Sequence, residues 1–163
     1  MGVAQVLLGT LGGSKSGLIE KAVSKNGDFV ESLSAFAFPY SDVGLFGLAG
    51  TTNDANAAQL VGLMANLMKE VASGNVSSDD VTRAKNLLKM ALVDSSASRD
   101  GKRDDVATQL LMKGSYTETS DVFAAIDKVT GAQIGTLVSN MLKSSPSISG
   151  VGELSTVPGY DRI

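Results

Sequence analysis

The residues best suited to chemistry come early, in the stretch LLGTLGGSKSG, Leu7 to Gly17. A phosphate loop reads G-x-x-x-x-G-K-[ST], and Gly9 stands at the right distance from Lys15-Ser16. Ser14 occupies the place of the second required glycine. A working loop follows a buried strand and opens a helix, so that backbone amides point at phosphate. Here Val3, Val6 and Leu7 have helical spacing, and no strand ending in Asp is placed to hold magnesium. The stretch reads as a glycine-rich turn between two helices, with Lys15 as a solvated charge.

A second cluster is Asp100, Arg103, Asp104 and Asp105, interleaved with Arg99 and Lys102. Paired carboxylates can hold a metal or exchange protons. Adjacent Asp104 and Asp105 point to different faces of a helix, and cations surround them. A solvated helix start, where the dipole favours acids, explains them better. Met64, Met68, Met90 and Met112 could line an adaptable groove. Their positions on amphipathic helices predict core filling instead. Tyr40 and Tyr116 fall in loops beside Ser and Gly.

Composition narrows the remaining chemistry. The chain has 163 residues, 43% hydrophobic and 19% charged, enough for one domain with a core. There is no His and no Cys. That removes His and thiolate zinc sites, disulfides, cysteine nucleophiles and the Ser-His-Asp triad. Any active site would have to run on Asp, Glu, Lys, Ser, Tyr or Arg. The net charge of −3 and the lack of a basic patch argue against nucleic acid. No apolar run reaches the roughly 18 residues of a membrane span.

The elements that would position these residues follow from periodicity. A helix should run from Ser16 to Ser24. Phe29–Phe38 and Val43–Thr51 read as two strands joined by the loop Pro39-Tyr40-Ser41-Asp42. Asn53 or Asp54 should cap a long helix ending at Gly74-Asn75. Ser77 opens the next helix as a capping box, with Asp80 standing in for Glu. A third helix carries Val106, Leu110 and Leu111 and closes at Gly114. Ser120 caps Asp121–Lys128, Thr130 caps another helix that Pro146 stops, and Ser147–Gly152 returns as a strand. The fold class is α+β: an antiparallel or mixed sheet with helices packed on one face. Three strands make a thin sheet, so strands are expected to be missing before Val3. Residues 1–2 read as a start codon or cloning scar, and residues 3–163 as a single incomplete domain.

Three stretches carry more together than singly. They are FAFPYSDVGLFGLAGTTNDA (Phe36 to Ala55), GNVSSDDVTRAKNLLKMAL (Gly74 to Leu92) and MKGSYTETSDVFAAIDKVT (Met112 to Thr130). Their order and spacing resemble the C-terminal half of the second core subunits of mitochondrial ubiquinol–cytochrome c reductase. These subunits are similar to the processing peptidases and belong to the inverted-zincin metallopeptidases. The resemblance implies a metallopeptidase-like α+β half that holds no zinc, because the family's H-x-x-E-H lies in the other half. It implies no catalytic residue and no cofactor in this chain. It also implies a place on the matrix side of the mitochondrial inner membrane, with the homologous first core subunit and other respiratory subunits as partners. Self-association of the incomplete domain is expected as well.

Active relatives grip substrate with an Arg and a Tyr near the second strand, and Leu45–Asn53 contains neither. The alternative implied by the family is a substrate-recognising, non-catalytic subunit of a processing peptidase. In such subunits a glycine-rich loop touches the presequence. Its counterpart here would be Gly9, Gly12, Gly13 and Lys15, a peptide or partner contact. Lys15 would repel an Arg-rich presequence.

Overall fold

A computed structural model describes residues 17–40 and 44–159. The chain runs α1 (Leu18–Lys25), β1 (Val30–Pro39), β2 (Gly44–Thr52), a 3-10 turn (Asp54–Asn56), α2 (Ala57–Ala72), α3 (Ser78–Ser96), α4 (Arg99–Lys113), α5 (Thr119–Lys128) and α6 (Gly131–Met141). Helices stack on one face of a two-stranded antiparallel sheet. The α+β expectation is met, with two corrections to the strands. Ser147–Gly152 forms no strand. The sheet therefore has two strands among the described residues where three were expected. SISGVG has alternating apolar residues, but Val151 is fully exposed and Ile148 is 43% exposed, and no neighbouring strand among the described residues offers a ladder.

Strand pairing sets which side chains face the helices. Leu33, Ala35 and Ala37 lie opposite Gly50, Leu48 and Phe46 on the inner face. Ser32, Ser34, Phe36 and Phe38 lie opposite Thr51, Ala49, Gly47 and Leu45 on the outer face. Val30 has the outer parity, yet it is buried. A bulge between Val30 and Ser32 inserts Glu31 and shifts the alternation by one residue, so Val30 turns inward opposite Thr52. The Thr52 hydroxyl donates to the Phe29 carbonyl and closes that end of the hairpin.

Leu18, Ile19 and Ala22 bury one stripe of α1. Helix α2 lays Leu60, Leu67 and Val71 into the core, and its Met64 methyl reaches over Gly50. Ile126 of α5 and Ile134 and Val138 of α6 are fully buried beside Val71. Gly135 lets α6 cross close to the end of α2. A side-chain carbon there would meet the Val71 and Ala72 carbonyl oxygens at 3.4 and 3.5 Å.

Helix ends agree with their sequence signals in most places. Ser77 accepts a hydrogen bond from the Asp80 amide at 3.1 Å. Thr130 and Gln133 form a complete capping box, because the Thr130 amide donates to the Gln133 side chain at 3.0 Å. Gly114 ends α4 at φ 70°, a left-handed turn that disfavours other residues. Ser120 is not a cap: α5 begins at Thr119, two residues before the expected start at Asp121, behind Glu118. Pro146 does not stop α6 either, because the helix has already ended at Met141.

Candidate functional site

The loop residues Gly9, Gly12, Gly13 and Lys15, and the helix expected at Val3–Leu7, lie outside the described residues. So do Ser41 and Asp42 of the hairpin loop. The structure describes the chain that follows the loop, beginning at Gly17 and α1.

That part of the chain is held by one long-range clamp. The Lys21 ammonium of α1 donates to both carboxylate oxygens of Asp80 on α3, at 2.9 and 3.0 Å. Asp80 is 7% exposed, and Arg83 stands 3.6 Å from it. The Lys21 hydrogen bond holds the Asp80 carboxyl below the usual carboxylate range. Burial opposes that shift, while the Ser77 hydroxyl and the nearby charges add to it. The expected capping-box role of Asp80 is thus corrected in part. Its amide is capped by Ser77, but its side chain turns to Lys21. A signal was present in the sequence, since a carboxylate one turn inside an amphipathic helix lies near the buried stripe. Its partner 59 residues away carries no local signature.

A second clasp joins α3 to α5. Lys89 donates to the Asp127 carboxylate at 2.6 and 2.7 Å and lies 5.6 Å from the Phe123 ring centre. Lys85 donates to the Asp127 carbonyl at 3.0 Å. Both clasps bind helices together and leave no unpaired group aimed at a cavity.

The acidic cluster sits where expected, in the first turns of α4. Arg103 bridges Asp100 at 3.1 Å and Asp104 at 3.0 Å, with all three side chains well exposed. No group of three or more potential metal ligands converges among the described residues. The methionine expectation holds by halves. Met64 and Met68 pack against the core, but Met90 is 66% exposed and Met112 is also exposed. The helical pattern on α3 and α4 is apolar on more than one side, so periodicity assigned too many residues inward. Tyr40 and Tyr116 are exposed in their loops.

Among the described residues, no nucleophile, acid/base pair or metal set is assembled. The features that stand out are a helical layer, a short sheet and surfaces suited to packing. Residues 2–88, more than half of the chain, match the family described as the peptidase M16 inactive domain.

The chain belongs to the peptidase M16 inactive-domain family.

Several of its curated relatives are named as mitochondrial proteins. The chain is 32% identical over 152 residues to cytochrome b-c1 complex subunit 2 of Mus musculus, covering 93% of this chain and 34% of that protein. It is also 32% identical over 145 residues to the mitochondrial-processing peptidase subunit beta of Saccharomyces cerevisiae, covering 87% of this chain and 31% of that protein. The chain therefore spans about a third of the length of these curated relatives. Among solved structures, a chain of complex III2 from Candida albicans superposes with a TM-score of 0.86 at 20% identity, over 98% of this chain and 40% of that one. A protease from Helicobacter pylori matches with a TM-score of 0.69 at 17% identity, over 86% and 34%. The fold is thus that of part of an M16 protein. The non-catalytic expectation agrees with the family's own description as an inactive domain.

Proposed function

We propose that this chain is the C-terminal M16 domain of a non-catalytic core subunit of mitochondrial ubiquinol–cytochrome c reductase. In this reading it sits on the matrix side of the inner membrane and packs against the homologous first core subunit. Its work is structural: it presents helix and sheet faces that brace the electron-transfer subunits and carries no redox group. With no Cys and no His, it cannot supply the thiolates of an iron–sulfur cluster or a haem imidazole. Among the described residues no helix is long and apolar enough to cross a membrane. The observation that carries the proposal is the 32% identity to subunit 2 over 93% of this chain. Tagging the full-length protein and resolving native complexes tests it. Co-migration with cytochrome b is the expected result. A full-length protein that never enters that complex overturns the reading.

The processing-peptidase relatives favour a second reading, in which the loop of Gly9, Gly12, Gly13 and Lys15 contacts a presequence. Glycine has no side-chain carbon, so a glycine-rich backbone can come close to an extended peptide. The basic Lys15 disfavours an Arg-rich ligand, which places this reading second. Presequence binding by the full-length protein should weaken when Gly12 and Gly13 become Ala. Absence of any presequence binding removes this reading and leaves the first intact.

A further inference from the structure

Helix α4 differs from the other helices among the described residues, because none of its residues is buried. One of its faces is nonetheless built for contact. Arg99, Lys102, Arg103, Val106, Ala107 and Leu110 line an open depression of about 500 Å³. Their spacing of three, four and seven residues puts them on one side of the helix, over roughly 16 Å of its length. Cations occupy one end of the strip and apolar side chains the other. Leu110 is 49% exposed, and Val106 is half-buried.

Two of the three cations on this strip have no ion-pair partner among the described residues. Arg103 is paired to Asp100 and Asp104. No carboxylate among the described residues lies within ion-pair distance of Arg99 or Lys102. Both stand in the first turns of α4, where the helix dipole disfavours cations. Among the described residues, this face thus sets two cations without ion-pair partners beside exposed aliphatic groups, although the segment Arg99–Asp105 is neutral as a whole.

We propose that this face of α4 docks an acidic amphipathic helix of a partner protein. Carboxylates on the partner would meet Arg99 and Lys102, and its apolar side chains would cover Val106, Ala107 and Leu110. A second copy of this chain fits poorly. Pairing the strip with itself in parallel sets cation against cation. The antiparallel arrangement brings Arg99 towards Lys113. An anionic membrane fits less well, because an extended anionic surface would meet the exposed Asp100 and Asp104 together with the cations, whereas a single helix can set its carboxylates against Arg99 and Lys102 alone. The inference stands apart from the core-subunit reading, since it rests on α4 alone.

The test uses the full chain and a fluorescein-labelled helical peptide of about 18 residues, with glutamates at one end and a leucine stripe along one face. Anisotropy should show saturable binding that weakens with salt. The double variant Arg99→Glu/Lys102→Glu should weaken it about tenfold or more, and Leu110→Ser should weaken it measurably. These positions are exposed, so circular dichroism and thermal unfolding should stay unchanged. A peptide with lysines in place of the glutamates should not bind. Equal affinity for the wild type and the charge-reversed variant overturns the proposal, as does failure of the acidic peptide to bind. Sedimentation with phosphatidylglycerol vesicles in preference to peptide binding also overturns it and assigns the strip to a lipid surface.

Discussion

Lys21 grips Asp80 with one ammonium and two carboxylate oxygens, at 2.9 and 3.0 Å, and so fixes α1 to the first turn of α3. Asp80 is 7% exposed while the Lys21 side chain is 48% exposed. Removing the carboxylate leaves a lysine that water can still reach, so the cost stays below that of a fully buried pair. Asp80→Asn should lower stability by about 1–2 kcal/mol at neutral pH, measured by urea unfolding. The Asp80 carboxyl titrates below its ordinary value in the folded chain. Its contribution is therefore present above the unfolded value of about 3.9 and is lost as pH falls through the lower folded value. The gap between wild type and Asp80→Asn should close in that acid window. A gap that stays constant down to the foot of the window rules the clamp out as its source.

Two glycines should respond oppositely to the same methyl group. A side-chain carbon at Gly101 would overlap the Ser95 carbonyl oxygen, where α4 turns back from α3. Gly101→Ala should cost about 1–3 kcal/mol, because backbone must move to admit it. Gly62 lies inside α2 with nothing within 4 Å of such a carbon. Gly62→Ala should stabilise by about 0.5–1 kcal/mol through helix propensity alone. Chemical denaturation of both variants gives the two signs directly, and a shared sign would contradict the geometry.

The capping box at the start of α6 offers a smaller test. Thr130→Ala leaves the Gln133 amide without its side-chain acceptor, which stands at 3.3 Å. A loss of about 1 kcal/mol is expected, with recovery in Thr130→Ser. If serine fails to restore stability, the threonine methyl rather than the hydroxyl is responsible.

The outer face of the hairpin should drive self-association. Phe38 and Leu45 pair across the strands and are 54% and 55% exposed. Both strands also present an unpaired edge among the described residues. Sedimentation velocity should show larger species as concentration rises, and Phe38→Lys/Leu45→Lys should suppress them. A wild type that remains monomeric throughout contradicts this expectation.

Local signals in the sequence were sufficient for the helices and the hairpin. The apolar stripe on α2, the Ser77 and Thr130 caps and the glycine stop at Gly114 each act within one or two turns, and each is found in place. Long-range choices were harder to read. SISGVG satisfies strand alternation, but a strand also needs an edge to pair with, and alternation carries no information about one. Met90 and Met112 satisfy helical spacing, but spacing cannot tell which of two apolar sides meets the core. The Lys21–Asp80 clamp joins residues with no sequence relation to each other. The α4 strip was visible only as a charge cluster, because its meaning depends on that helix burying nothing.

Glu31 works as a phase slip in the hairpin. On one side of it the inward residues carry odd numbers, Leu33, Ala35 and Ala37; on the other the inward residue is Val30. Because α1 leads directly into Val30 through the Asn26 turn, this single residue sets the rotation at which the helix meets the sheet. Deleting Glu31 would leave composition and hydrophobic content almost unaltered. It would also remove the bulge: Val30 would then stand next to the outward Ser32, face inward by plain alternation and keep Thr52 as its partner, so α1 would meet a less twisted strand. Removal of this one residue should therefore be tolerated, with loss of the extra twist that the bulge gives the strand.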